Sequence, residues 1–159
     1  MQLQKITPFI WFDGCAEEAA KFYVATFPDA EILQIARYTE AGREQHGHTP
    51  GTAMTVDFQL AGQRFTALNG GPHFALTPAV SFVVHCEDQA EIDRYWTALS
   101  EGGDPAAQRC GWLADRFGLS WQIVPRQLPD LIRDPARAER VMAAMMPMSK
   151  LDIAALEQA

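Results

Sequence analysis

Read from its N-terminus, this chain runs through one order of elements and then starts the order again, which few folds accommodate. Residues 6–12 are apolar at nearly every position, as a strand covered on both faces would be. Asp13 and Gly14 end that run. Residues 15–27 then set Ala16, Ala19, Ala20, Phe22, Tyr23 and Phe27 on one helical stripe. A strand over 31–39, a polar loop over 40–51 and two strands over 52–60 and 63–68 follow, the last pair joined by Ala61-Gly62. Asn69-Gly70-Gly71-Pro72 is the strongest punctuation in the chain. Beyond it, residues 80–86 read as a strand and 88–100 as a helix carrying Ile92, Tyr95, Trp96 and Leu99 on one face. Gly102-Gly103-Asp104 breaks the chain before a hairpin. A constant offset lays Phe82 on Phe9, Val83 on Ile10, Glu91 on Glu18 and Tyr95-Trp96 on Phe22-Tyr23, and a second match sets 118–123 against 62–67. The sequence therefore reads as a tandem pseudo-repeat. Its second copy has room only for a short second strand near 105–109.

The hairpin over 108–125 is the most legible local structure. Its apolar arms, 112–114 and 119–124, flank Asp115-Arg116-Phe117-Gly118, where Asp opens a turn and Gly takes a positive φ. Alternation points Ser120, Gln122 and Val124 one way and Leu119, Trp121 and Ile123 the other. Gln122 is thus a polar group on a candidate cavity wall. After Pro125, Asp134-Pro135 opens a helix whose stripe is Ala138, Val141, Met142 and Met145, ended by Pro147. Ser149-Lys150-Leu151-Asp152 resembles a capping box for a last helix through Leu156. The Met-rich stripe docks on its own fold or a sister subunit, or serves a partner.

The 159 residues are 48% hydrophobic and 21% charged, which suits one compact unit. A net charge of −7 opposes binding to phosphate backbones, so nucleic acid is not an expected partner. Cys15, Cys86 and Cys110 form neither a disulfide framework nor a zinc spacing. With no signal peptide pattern and no apolar run of about 20 residues, the expectation is a cytoplasmic protein with no membrane partner.

Two βαβββ-like units with an Asp-Arg-Phe-Gly-Leu-Ser-Trp-Gln-Ile hairpin resemble the glyoxalase/bleomycin-resistance/dioxygenase, or vicinal oxygen chelate, superfamily. Trp11-Phe12-Asp13-Gly14, Ala16-Glu17-Glu18-Ala19, Phe22-Tyr23, residues 68–72, Cys110-Gly111-Trp112-Leu113 and Gly118-Leu119-Ser120-Trp121-Gln122 are similar to its PhnB-like branch. The resemblance covers about residues 5–157. It implies an α+β fold: two tandem modules, at about 5–70 and 78–125, forming a curved incomplete barrel, with a C-terminal helical tail over about 126–159 in one domain. It also implies a concave ligand cavity and a homodimer. Proteins of this branch often carry a methyltransferase label. The sequence gives that label no support, because no Gly-x-Gly-type loop follows the first strand.

Metal-dependent members hold a divalent ion with His and Glu from four strand positions. Carried over, those positions hold Pro8, Thr66, Ser81 and Gln122. Proline has no donor atom, and hydroxyls or an amide are weak neutral ligands, so no metal cofactor is expected. A register slip would bring in Asn69 or His85, which do not restore a four-ligand set. Thr66, Ser81 and Gln122 either bond one another or await a ligand, since an unpaired buried polar group costs about 1–3 kcal/mol. Trp112 is a stacking wall for a planar ligand or a core aromatic. His85 shares a face with Ser81, as a base, a stray ligand or a satisfied strand-end histidine. His46 and His48 lie in a loop and read as solvated, Cys110 as a small buried hydrophobe, and Asp115 as the holder of its turn.

Three functions follow in order: a metal-independent binder of a small organic molecule; a lyase, isomerase or dioxygenase using a metal on rearranged residues such as His85, Asn69 and Gln122; and an interaction module working through the C-terminal helices. Substrate identity lies beyond the sequence.

Overall fold

The computed structural model describes residues 4–159, in two compact units, Met1–Leu76 and Thr77–Ala159. The first contains β1 (Phe9–Phe12), α1 (Ala16–Thr26), β2 (Glu31–Arg37), a one-turn α2 (Arg43–His46), β3 (Ala53–Leu60) and β4 (Gln63–Asn69). They form a four-stranded sheet in the order β1-β4-β3-β2. β1 runs parallel to β4, with Phe9 opposite Thr66, and the other neighbours are antiparallel. The α1 stripe is spaced for one face, and Ala16, Ala19, Ala20 and Tyr23 bury it against Ile10, Phe12, Val56, Phe58 and Phe65.

The second unit contains β5 (Ser81–Cys86), α3 (Gln89–Ser100), a 3₁₀ turn (Pro105–Ala107), β6 (Trp112–Ala114), β7 (Ser120–Pro125), α4 (Leu128–Leu131), α5 (Pro135–Met145) and α6 (Ile153–Gln158). Its sheet has the order β5-β7-β6, with β5 parallel to β7 and β6 antiparallel to it. Asp88 caps α3 by accepting from the Glu91 N–H at 2.9 Å, and Ile92, Tyr95 and Leu99 are buried beside Leu113, Trp121 and Ile123. Taking β1, β4 and β3 onto β5, β7 and β6 reproduces both sheet order and strand direction, so each unit carries the same strand–helix–sheet plan. The architecture is α+β, with two sheets and C-terminal helices, and neither sheet closes into a barrel.

The structure corrects several expectations. Residues 6–12 are not covered on both faces: Phe9 is 60% exposed, and only Ile10 and Phe12 are buried. The second copy's short second strand is instead the 3₁₀ turn, because Asp104 caps it at the Ala106 N–H and Pro105 starts it. The constant offset also fails by one. Phe9 faces Thr66 while Val83, not Phe82, faces Gln122. In the strands Val83 therefore corresponds to Phe9, which matches their shared exposure, and Ser81 corresponds to Thr7 rather than Pro8. The polar loop over 40–51 contains α2. The last helix starts at Ile153, capped by Asp152 through the Ala155 N–H, and the Ser149 carbonyl instead accepts from the Gly111 N–H.

The tail docks on its own unit. Val141, Leu151 and Leu156 are fully buried with Val124 and Leu131, and Met145 and Met148 pack against them. Met142 and Met146 stay outside, so the Met stripe is split between core and surface.

Candidate functional site

The hairpin of the second unit sets the site. Asp115 is 2% exposed, yet its carboxylate accepts from the N–H groups of Phe117 (2.8 Å) and Leu119 (3.1 Å) and from Trp121 Nε1 (2.9 Å). These donors offset its removal from water. Gly118, at φ 87°, closes the turn. The turn fixes the register, and the register decides which side chains share a face. Trp112 lies opposite Gln122, and Val83 lies opposite Gln122 on the other side.

Period-2 alternation then gathers Ser81, Val83 and His85 of β5 with Ser120 and Gln122 of β7 and Trp112 of β6 on one face. Gln122 Nε2 donates to Ser81 Oγ at 2.9 Å. The opposite face carries the buried Leu113, Trp121 and Ile123. Ser81, Trp112 and Gln122 are half-buried, and Val83 and His85 exposed. Four of the six sequence-predicted residues thus sit on one open sheet face, with Gln122 and Ser81 in direct contact.

The other two belong to the first unit and separate there. Thr66 Oγ1 donates to Asp57 Oδ1 at 2.6 Å on the sheet face away from α1. Asn69 lies on the helix side: its Oδ1 accepts from the Ala16 N–H at 2.9 Å and its Nδ2 donates to the Ala53 carbonyl at 3.0 Å. Both ends of its amide are occupied by backbone, where it holds the start of α1. Asp57, the partner of Thr66 on this face, is a residue that the sequence expectations omit. Thr55, Asp57 and Gln59 alternate with Val56 and Phe58 in β3, a pattern that places Asp57 on the polar face without any structure.

His46 and His48 are not simply solvated. Both rings pack on Tyr38, at centroid distances of 4.6 and 4.2 Å, and the Tyr38 hydroxyl donates to the Asn69 carbonyl at 2.7 Å. Burial pushes the Tyr38 hydroxyl above its ordinary range. Cys86 is fully buried, and its thiol is pushed up to about 12, chiefly by burial. Cys110 is half-buried rather than a core residue, at φ 52°, with Sγ 3.9 Å from Met146 Sδ.

Thr7, Pro8 and Thr66 in the first unit and Ser81 and Gln122 in the second carry no imidazole or carboxylate, and among the described residues no group of three His, Cys, Asp or Glu side chains could hold an ion.

Two units of this topology with an open, polar-centred sheet face define the fold class of the glyoxalase superfamily. Residues 4–124 match the family described as 3-demethylubiquinone-9 3-methyltransferase, and the chain belongs to that family, in its PhnB-like branch. The putative 3-demethylubiquinone-9 3-methyltransferase, PhnB protein, from Bacillus cereus is 37% identical, aligned over 77% of this chain and 99% of that one, with a TM-score of 0.65. The fosfomycin resistance protein FosX from Mesorhizobium loti shares the fold at 15% identity over 82% and 97% of the two chains, TM-score 0.54. FosX from Listeria monocytogenes, complexed with Mn(II) and sulfate, does so at 13% over 88% and 98%, TM-score 0.52. No curated protein matches the chain. Among the described residues, no helix is long and apolar enough to cross a membrane.

Proposed function

We propose that the chain binds a small organic molecule against the open face of its second sheet, without a metal ion. The observation that carries this is the Gln122–Ser81 hydrogen bond opposite Trp112. That bond uses one N–H of Gln122 and one lone pair of Ser81. It leaves the Gln122 carbonyl, its second N–H and the Ser81 hydroxyl proton for a ligand, beside an indole on which a planar group can stack. The neutral donor set supports a metal-independent mode. Methyl transfer, which the family's name suggests, finds no support in the chain: no Gly-x-Gly loop follows β1, and both sheets mix parallel and antiparallel strands.

A homodimer belongs to the same reading, since the exposed Ile6 and Val80 are apolar surface that a second copy would cover. Sedimentation at micromolar concentration is expected to give twice the 17.7 kDa chain mass, and a monomer would remove that part.

A thermal-shift screen of metabolites and divalent ions tests the function, with hits mapped by NMR. Organic hits that perturb the Trp112 and Gln122 amides support it if they also bind about tenfold more weakly to Gln122→Ala, the usual effect of losing one polar contact. Hits indifferent to Gln122→Ala and Trp112→Ala would overturn it.

A further inference from the structure

The first unit carries its own acceptor site, and we infer that the open face of β1-β4-β3 selects ligands that present a cationic or hydrogen-bond-donating group attached to a planar apolar body. This rests on the reading that open sheet faces of this chain hold small molecules, and it adds the chemistry of the part bound here. The Asp57–Thr66 pair is the centre of the site. Thr66 spends its only side-chain proton on Asp57 Oδ1 at 2.6 Å. Asp57 Oδ2 has no hydrogen-bond partner among the described residues, and the Thr66 oxygen keeps its lone pairs. The pair therefore offers acceptors and no donor. A carboxylate or phosphate would meet like charge there, whereas an ammonium or amide N–H would be held.

The surroundings supply the apolar half. Phe9 lies opposite Thr66 in the parallel β1–β4 pair, 60% exposed. Trp11, two residues on and so on the same face, is fixed by its Nε1–H donating to the Gly71 carbonyl at 2.8 Å. The 68%-exposed Phe74 packs edge-on to Trp11 at 4.9 Å. Gly70 keeps this arrangement open to the indole: a Cβ there would lie 2.2 Å from the Trp11 ring. Large exposed aromatics beside a half-buried carboxylate are costly to leave on a surface without use, and aromatic faces also attract cations. The chain's charge of −7 raises the local concentration of cationic ligands further.

The test uses three probes of one shape on the full chain: benzylammonium, benzyl alcohol and benzoate, followed by 1H–15N shift mapping at neutral pH. Benzylammonium is expected to shift the amides of Phe9, Trp11, Asp57 and Thr66 and to bind about tenfold more tightly than benzoate, the worth of one charge-assisted hydrogen bond. Asp57→Asn converts the acceptor into a donor and is expected to erase or reverse that preference while leaving benzyl alcohol within about twofold. Thr66→Val keeps the carboxylate, so the preference persists. This second variant guards against a folding defect in the first. Benzoate binding as well as benzylammonium, a preference that survives Asp57→Asn, or no shifts at these amides would overturn the inference. Shifts at Trp112 and Gln122 from a metabolite hit, with none here from benzylammonium, would remove this site and leave the second-sheet reading standing.

Discussion

The two sheets are copies of one plan finished in different ways. In the first unit the β3–β4 hairpin turns on two residues, Ala61 and Gly62, at φ 45° and 82°, and a fourth strand, β2, completes the sheet. In the second, the hairpin turns through Asp115–Gly118 on a buried carboxylate, a 3₁₀ turn stands where the fourth strand would be, and the C-terminal helices cover the sheet end at Val124. Backbone pairing carries the shared topology. Side chains decide how each copy ends and what its open face offers: an acceptor-only Asp57–Thr66 pair in one, a neutral Gln122–Ser81 pair in the other.

The comparison breaks most directly at Asp115. Asp115→Ala leaves three N–H donors unmatched, two of them buried, and is expected to cost about 3–5 kcal/mol in urea unfolding, as loss of one member of a buried charged network does. Among the described residues no carboxylate holds the Ala61-Gly62 turn, so no substitution in that turn should approach it. Asn69→Ala removes one bond to the backbone at the α1 start and one at the β3 start, with an expected loss of about 2–3 kcal/mol on the same measurement.

How much of this could be read from residues alone divides along the same line. Period-2 alternation put Gln122 with Ser120 on one face of its strand and Ser81 with His85 on one face of theirs, while the β5–β7 pairing is what brings Gln122 and Ser81 together. The one-residue error in the repeat offset arose because one offset was applied to strand and helix alike, whereas three residues join β1 to α1 and two join β5 to α3. Such a slip exchanges the faces of a strand, and only pairing shows that Thr7 rather than Pro8 corresponds to Ser81. Asn69 stands next to a Gly-Gly-Pro turn, and its use as a helix anchor depends on Ala16, 53 residues away, which no local pattern reveals. The stacking of His46 and His48 on Tyr38 depends on how the 40–51 loop folds back, which its polar composition does not specify.

Cys86 sharpens the comparison chemically, since it ends β5 as Phe12 ends β1, both facing inward. With its thiol pushed up to about 12, native Cys86 should resist iodoacetamide at pH 8. Mass spectrometry should find at most two of the three cysteines alkylated until the chain unfolds. The sign of the linked stability follows. The folded state holds that proton more tightly, so this contribution is complete below the ordinary thiol range and falls as pH climbs from there toward about 12. The smallest effect is a gain: Ala61→Asn places a residue suited to positive φ before Gly62 and should add about 0.5–1 kcal/mol.

The proposed metal-independent binding centres on the second sheet's open face, where Gln122 and Ser81 present neutral hydrogen-bonding groups. Tag-free protein purified without chelators, analysed for metals and titrated with Mn(II) and Zn(II), tests this. The prediction is metal well below one equivalent per chain and no shift of the Ser81 and Gln122 amides on titration. One equivalent of Mn, Fe, Ni or Zn, lost in Gln122→Ala, would contradict it.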